Sequence, residues 1–397
     1  MRKLTALAAV GALMLTGCGI ISPKTPTTGA DTAALVQCLN DSLVTPSSLP
    51  SENDNSKVKL SDGFPANAKI GIALPQKTSQ NWVEAEGMFN TALTTHGFTP
   101  IVKFATGGVS DQQLQITDMI NQGVSVLVVG AVDVSQLGTQ LDAAKADGII
   151  VISYDRLLTQ TRSVDLYVAY DNYQVGQLQG QSLVQGLLAT QGSPPYNIEL
   201  IAGSLDDSNS QPFFEGAMSV LQTGISCGAL VVPSGQTTLD QVATQGWLAS
   251  NVQKRMNTLL ASYYTDTPLN GVLSPNDTLA RAAIASLSSV GRSDDHTVIT
   301  GQDSETMSIP LIMKGTQYMT IYKNTQGLVN EVVRDIGWLQ QGLEVPVTDA
   351  AGMDNGVITV PADLLTPQAV TAANAAKVYA NDPERIGCTQ DPPVNCQ

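Results

Sequence analysis

A chain of 397 residues is longer than one ordinary hydrophobic core supports, so two domains are predicted. Hydrophobic residues make up 43% and charged residues 14%, which is typical of a globular chain and excludes a disordered one. The net charge of −15 excludes nucleic acid as the expected partner, because no basic cluster offsets the acidic excess.

The first twenty residues have the pattern of a secreted lipoprotein. Arg2 and Lys3 form a short basic start, and the apolar run after them is too short to span a bilayer. The run ends on "LTGC", which resembles the bacterial lipobox, a motif whose cysteine is acylated and becomes the mature N-terminus. This implies a signal peptide over residues 1–17 and a lipid on Cys18, which would hold the protein at the extracytoplasmic face of the cell membrane.

Cysteine usage agrees with an oxidising compartment. Once Cys18 is lipidated, the chain retains Cys38, Cys227, Cys388 and Cys396, and four cysteines allow three pairings. Cys388 and Cys396 lie close together in sequence, which favours that disulfide and leaves Cys38 with Cys227. No metal site is predicted, because the chain has no CxxC motif and its two histidines lie far from any cysteine.

Composition divides the chain near residue 68. Residues 18–67 are rich in Ser, Pro, Thr and Asn, which predicts a flexible lipidated tether with a short helix in "AALVQCLNDSL". From Lys69 onward apolar runs alternate with amphipathic segments that end on glycine, which predicts parallel sheets flanked by helices in an α/β fold. The predicted strands are "KIGIAL", "TPIVKFA", "VSVLVVGA", "GIIVISYD", "DLYVAYDN", "NIELIAGS", "ALVVPSG", "GVLSPND", "TVITGQD", "YMTIYKN" and "GVITVP".

Polar side chains follow six of these strands, where α/β sheets bind their ligands. They are Asp155, Arg156, Asp171, Asn172, Asp206, Asp207, Asn209, Asn276, Asp277, Asp303, Lys323 and Asn324. Each Asp or Asn taken alone is more simply explained as a helix N-cap. Six such strand ends together predict a shared polar cavity.

The mixture of carboxylates, carboxamides and cations suits a neutral polyhydroxylated ligand, because each hydroxyl both donates and accepts hydrogen bonds. The chain has no GxxxxGK loop for phosphate. Trp82 and Trp247 each stand close to a predicted helix start, where an aromatic ring can stack on the C–H face of a sugar. Core packing is the alternative for each tryptophan.

From about Lys69 to Pro367 the chain resembles the solute-binding proteins of bacterial ABC transporters for monosaccharides, in the D-xylose-binding and multiple-sugar-binding group. The motifs that carry the resemblance are "YDRLL", "YDNYQVGQLQ", "NIELIAGSLDDSN", "VLSPNDTLA", "VITGQDSE", "TIYKNT" and "NGVITVPADLLTPQAVT". The family implies the type I periplasmic binding protein fold, in which two Rossmann-like lobes joined by three hinge crossovers close on a sugar. It also implies delivery of the sugar to a membrane permease driven by a separate ATPase. We expect the protein to be a monomer without a cofactor.

On this basis we expect an N-terminal lobe from residues 68–172 and 304–348, and a C-terminal lobe from residues 173–303 and 349–376. Residues 377–397 are expected to form a tail that contains cysteine and proline. The sugar contacts implied by the family are Trp82, Asp155, Arg156, Asp207, Asn209, Trp247, Asn276, Asp303 and Lys323, with Asn81 and Asp171 as weaker expectations.

Three positions depart from the family pattern. Asn81 stands where the family has an arginine that contacts the sugar, which removes a charge-assisted donor. Where the family has two consecutive asparagines, this chain has Ser208 followed by Asn209. Pro212 interrupts the aromatic stretch that follows. These departures concern the choice of sugar more than the fold.

Other functions fit the sequence less well. A glycosidase needs one carboxyl group kept protonated near neutral pH, whereas acids interleaved with Arg156 and Lys323 are expected to stay ionised. A sugar-responsive repressor would carry a DNA-binding segment in place of the lipobox. The serious alternative is a sensory protein that presents a sugar, or a furanosyl signal molecule, to a receptor.

Overall fold

The computed structural model describes residues 31–43, 56–293, 296–394 and 396. The predicted signal peptide and Cys18 lie outside these ranges, so lipidation stays a prediction. Within the described residues, no helix is both long enough and apolar enough to cross a membrane.

Helices and strands alternate along the chain, as the hydrophobic pattern predicts. The first segment contains α1 (Thr32–Asp41), β1 (Lys57–Val58), β2 (Lys69–Leu74), α2 (Gln80–Thr95), β3 (Thr99–Phe104), α3 (Val109–Asn121), β4 (Val126–Val129), α4 (Gly138–Ala146), β5 (Ile150–Tyr154) and β6 (Leu166–Tyr170). The second contains α5 (Asn172–Thr190), β7 (Tyr196–Leu200), α6 (Ser210–Cys227), β8 (Leu230–Val231), α7 (Leu239–Val242), α8 (Ala249–Tyr263), β9 (Gly271–Leu273), α9 (Asp277–Ser289), β10 (Val298–Ile299), α10 (Ile309–Met313) and β11 (Met319–Tyr322). The last contains α11 (Thr325–Gln340), β12 (Val345–Pro346), β13 (Asp349–Asp354), β14 (Thr359–Leu365), β15 (Gln368–Thr371), α12 (Ala375–Val378) and α13 (Pro383–Ile386).

The N-terminal lobe is built on a seven-stranded sheet in the order β13-β14-β6-β5-β4-β2-β3. Every neighbouring pair is parallel except β13 with β14. Helices α2 and α11 cover one face over a core that includes Phe89 and Ile336, and α3 and α4 cover the other over a core that includes Ile116 and Leu141. Burial on both faces explains why the strands are continuous apolar runs.

The C-terminal lobe is built on a four-stranded parallel sheet in the order β10-β9-β7-β8. A separate antiparallel pair, β11 and β15, extends it, because the Tyr318 and Ile321 amides donate to carbonyls of Ile299 and Gly301 beside β10. Helices α8 and α9 pack on one face, and α5 and α6 pack on the other. This lobe therefore has the same layered design as the first.

The chain passes between the lobes near residues 171, 323–324 and 366–367, which gives the three crossovers of the type I fold. Two expected boundaries need correction. Residues 304–322 belong to the C-terminal lobe, because Met319 and Ile321 of β11 lie in its core. Residues 349–365 belong to the N-terminal lobe, because β14 pairs with β6 and β13 pairs with β14.

The expected flexible tether is partly structured. Leu35 and Leu39 of α1 are buried against α6 of the C-terminal lobe, and a Cys38–Cys227 disulfide joins the two helices. Further on, β1 pairs with β12 of the N-terminal lobe. The apolar face of α1 explains the docking, since leucines four residues apart lie on one side of a helix.

The C-terminal tail also packs on the C-terminal lobe. Its small core joins Tyr379 and Cys388 to Ile309 and Val370. A second disulfide, Cys388–Cys396, closes the end of the tail. Both disulfides are the predicted pairs, Cys388–Cys396 from proximity in the sequence and Cys38–Cys227 as the pair that remains.

Candidate sugar-binding cleft

A polar cleft of about 390 Å³, counting the part open to solvent, lies between the two lobes. Its walls come from the carboxyl ends of strands in both sheets and from the starts of the helices that follow. The lining residues are Thr78, Ser79, Asn81, Trp82, Asp155, Arg156, Asp207, Asn209, Phe213, Trp247, Asn276, Gln302, Asp303 and Lys323.

The wall from the N-terminal lobe combines an aromatic ring with an acid and a base. Trp82 stands in the first turn of α2, and its ring meets the edge of Tyr154 with 6.0 Å between centroids. Gly130, just after β4, leaves room for that ring, because a Cβ there would lie 2.9 Å from Cζ3 of Trp82. Arg156 places its guanidinium carbon 5.3 Å from the Trp82 centroid, and its Nη1 donates to the Ala131 carbonyl at 2.9 Å.

The wall from the C-terminal lobe repeats this arrangement. Trp247 follows α7, and its Nε1 donates to Oδ2 of Asp207 at 3.1 Å. Gly203 lies beneath the ring, since a Cβ there would come within 2.2 Å of Cζ2 of Trp247. The other carboxylate oxygen of Asp207 accepts from the Asn209 amide at 2.9 Å. A tryptophan supported by a glycine therefore stands in each wall.

Three lining residues have left-handed backbones without being glycine. Asp155, Trp247 and Asp303 have φ angles of 63°, 55° and 87°. This conformation costs energy for residues with a Cβ, and most for a bulky one such as tryptophan. The surrounding packing maintains the strain, so these side chains are aimed into the cleft by the backbone itself.

Side chains of the cleft also join the two lobes. Arg156 Nε lies 2.8 Å from Oδ2 of Asp207, and both side chains are almost fully buried. Asn209 Nδ2 donates to Oδ1 of Asp155 at 3.0 Å. The structure therefore has the lobes closed on each other.

Lys323, at the second crossover, lies between two carboxylates. Its Nζ is 3.2 Å from Asp303 and 3.7 Å from Asp155. Burial by itself lowers the pKa of Lys323, but Asp303 and Asp155 outweigh this and raise the pKa to about 12. Burial raises the pKa of Asp303, and the positive charge of Lys323 opposes this rise. Burial also raises the pKa of Asp207, and there the opposing charge is Arg156.

This cleft has the chemistry of a binding site for a neutral polar molecule. Its lining contains both acceptors and donors, and its negative and positive groups are paired with each other, so an ionic ligand would leave one sign uncompensated. The two indole rings offer apolar faces to the C–H groups of a ring.

A family model described as a periplasmic binding protein domain matches residues 70–342. The multiple sugar-binding periplasmic receptor ChvE of Rhizobium radiobacter is 41% identical over 312 residues, which is 78% of this chain and 88% of that protein. The chain belongs to the periplasmic binding protein family. It is accordingly a binding protein and not an enzyme.

Other relatives of this periplasmic binding protein agree. The D-xylose-binding periplasmic protein of Escherichia coli is 33% identical over 79% of the chain and 90% of that protein. A solute-binding protein of an ABC transporter from Clostridium phytofermentans, solved with β-D-glucose, is 34% identical over 79% of the chain and 97% of the other, with a TM-score of 0.75. A carbohydrate transporter solute-binding protein from Chloroflexus aurantiacus, solved with D-glucose, is 29% identical over 79% and 95%, with a TM-score of 0.71.

The structure brings the nine sugar contacts implied by the family together in the cleft of this binding protein, and Asn81 lines it too. Asn276 does so while also capping α9, since its Oδ1 accepts from the Leu279 amide at 2.9 Å. Asp171 is not among the lining residues. Its carboxylate caps α5 by accepting from the Gln174 amide, so the capping explanation holds for that strand end.

Sequence reasoning missed four lining residues, namely Thr78, Ser79, Phe213 and Gln302. Gln302 comes directly before Asp303 at a strand end, so the strand-end rule that selected Asp303 had a signal for it. Phe213 lies inside α6 and reaches the cleft because of how that helix packs, with its ring 5.5 Å from Nζ of Lys323. No local pattern distinguishes it from a core residue.

Proposed function

We propose that this protein captures a monosaccharide of the aldopyranose type in the cleft and delivers it to an ABC importer at the extracytoplasmic face of the membrane. One observation carries the proposal. The polar groups and two tryptophans that suit a sugar come from both lobes and meet in a single cleft at the strand ends.

In the proposed complex, the rings of Trp82 and Trp247 cover the two apolar faces of the sugar. The hydroxyls exchange hydrogen bonds with charged and amide groups, in which carboxylates accept and the cations and amides donate. These groups are Asp155, Arg156, Asp207, Asn209, Asn276, Asp303 and Lys323. The paired charges keep the carboxylates available as acceptors.

The solved relatives with D-glucose and the D-xylose-binding relative support an aldopyranose. Glucose and xylose have the same ring and differ in one CH₂OH group. Asn81 bears on the choice, because its Oδ1 accepts from the Ser79 hydroxyl and is thereby held by its own loop. A short neutral side chain leaves more room at this edge of the cleft than an arginine would.

The partners in this proposal are a permease and its ATPase subunit, and the protein acts as a monomer held in the membrane by a lipid on Cys18. Residues 19–31 then separate the lipid from α1, which the Cys38–Cys227 disulfide attaches to the C-terminal lobe. In this proposal the lipid-anchored N-terminal segment is therefore attached to the C-terminal lobe.

A thermal-shift screen of the chain from residue 19 onward tests the proposal. The sugars are D-xylose, L-arabinose, D-glucose, D-galactose, D-ribose and D-fructose. A ligand at about 100 times its Kd adds about 2.7 kcal/mol to the native state, which is enough to raise the melting temperature visibly. A rise with one or more aldopyranoses is expected, and no rise with any of the six sugars would overturn the proposal.

A sensory role is the second candidate, favoured by the word "receptor" in the name of the relative from Rhizobium radiobacter. Sugar uptake by cells that lack the protein separates the two. Loss of uptake is expected for the transport role. Normal uptake together with a lost response to the sugar would establish the sensory one.

A further inference from the structure

Arg385, in the C-terminal tail, contacts both lobes. The tail lies beyond residue 342, where the match to the family model ends. Arg385 is almost fully buried, and its Nη2 donates to both carboxylate oxygens of Glu84 on α2 at 3.1 and 3.0 Å. Glu84 is two residues beyond Trp82, so this ion pair crosses from the tail to the helix that supplies one wall of the cleft.

The same arginine supports the opposite wall. Its Nε donates to the Ser304 carbonyl at 2.9 Å, and Ser304 follows Asp303 in the left-handed turn. The Tyr379 hydroxyl donates to the Ser304 hydroxyl oxygen at 2.7 Å, which fixes the turn from the tail as well. Arg385 thus joins Glu84 and the turn that aims Asp303.

Other groups hold Arg385 in place. Its Nη1 donates to Asp382 at 3.1 Å, and the exposed Glu384 lies 3.8 Å from the same nitrogen. The hydroxyl of Tyr322, next to Lys323 in sequence, donates at 2.7 Å to Oδ2 of Asp382, the same oxygen that accepts from Arg385. A nearby bridge runs in parallel, because the Thr306 amide donates to Oε1 of Gln80 at 2.8 Å.

We propose that Arg385 is a positioning residue for sugar binding, and that its ion pair with Glu84 is a clasp that forms when the lobes close. The proposal rests on the function proposed above. Opening the cleft moves α2 away from the tail, which separates the pair and returns Glu84 to water. The clasp therefore stabilises the closed form and leaves the open form unaffected.

The energetics favour a large effect on affinity. Glu84→Gln leaves Arg385 with Asp382 and the more distant Glu384 as its remaining carboxylates, so what is lost is one buried charge-assisted contact between the tail and α2. That cost falls only on the closed form, and a ligand that needs the closed form binds more weakly by the same factor. The sugar contacts themselves stay intact.

The test compares two glutamates of α2 by calorimetric titration with D-glucose or whichever sugar raised the melting temperature most. Glu84→Gln keeps the shape and removes the charge, and we expect about a tenfold or greater rise in Kd, which is about 1.4 kcal/mol. Glu86→Gln is the matched control, because Glu86 pairs with Lys77 of its own lobe, 3.3 Å away, and is half exposed. The control should bind like the unaltered protein.

Two further readouts separate a clasp from a merely structural role. The melting temperature without sugar should be at most about 2 °C lower for Glu84→Gln than for Glu86→Gln, because the clasp forms in only part of the sugar-free molecules. Arg385→Gln should also weaken sugar binding. The double variant, Arg385→Gln with Glu84→Gln, should lose less binding free energy than the sum of the two single losses, since both changes break the same contact. Unchanged Kd in Glu84→Gln, or fully additive effects, would overturn the clasp.

Small-angle X-ray scattering without sugar keeps the clasp testable even if no sugar binds. The radius of gyration should be larger for Glu84→Gln than for Glu86→Gln, because the open form is then more populated. Equal radii would contradict the clasp. Failure of the unaltered protein to bind any sugar would contradict the proposed function instead.

Discussion

At the scale of single residues, the cleft depends on glycines as much as on the groups that face the ligand. Gly130 and Gly203 lie beneath the two tryptophan rings and are close enough to exclude a side chain. Neither glycine was singled out from the sequence, because nothing in the local pattern says that a ring packs there. The tryptophans and strand-end acids are predictable from the sequence, since their residue types carry the chemistry.

Gly203→Ala is expected to abolish measurable sugar binding. The new Cβ would lie 2.2 Å from Trp247 and 2.4 Å from Oγ of Ser210, so the ring must leave its position. Gly138→Ala is the control, because nothing lies within 4 Å of a Cβ there. Calorimetric titration checks both variants, and normal binding by Gly203→Ala would contradict the stacking role of Trp247.

Acidification should weaken sugar binding before it destabilises the fold. Burial raises the pKa of Asp207 and Asp303 above the ordinary 3.8, so these acceptors become protonated at a pH above 3.8. When the pKa is higher in the folded protein than in the unfolded chain, the folded protein takes up the proton more readily. Protonation of these two groups therefore does not lower the free energy of unfolding. Titrations and melting curves from pH 7 to pH 4 check this, and parallel loss of both would contradict it.

At the scale of helices and strands, hydrophobic pattern was sufficient where burial is complete. Each apolar run predicted as a strand overlaps one. The strands β1, β12, β13 and β15 were missed because they are short or exposed, and β13 in particular has no buried residue. The helix α1 was recognised only as a short helix in a tether, since its docking depends on α6, which lies far along the chain.

The two disulfides should differ in their effect on stability. Cys38–Cys227 spans 189 residues and Cys388–Cys396 spans 8, so the first removes more entropy from the unfolded chain, by roughly 2–3 kcal/mol. Replacing each pair by serines and measuring urea denaturation checks the order. The Cys38 and Cys227 variant should still bind sugar, because neither cysteine lines the cleft. A larger loss of stability from the tail pair would contradict this expectation.

At the scale of the whole molecule, the fold class followed from the alternation of strands and helices, but the division into lobes did not. Residues 349–365 return to the first sheet because β14 pairs with β6 across almost 200 residues of chain, and no local pattern specifies such a pairing. The arrangement of the cleft depends on this return, since it sets where the third crossover runs. The position of the cleft between the lobes thus depends on the long-range pairing of β14 with β6.

The most direct test of the account is a calorimetric titration of the chain from residue 19 onward with D-glucose and D-xylose, beside the Trp247→Ala variant. We predict one sugar bound per chain, and no binding by Trp247→Ala although its unfolding stays cooperative. Binding that survives in Trp247→Ala with unchanged affinity would place the sugar outside the cleft. The absence of heat with either sugar would contradict an aldopyranose site between the lobes.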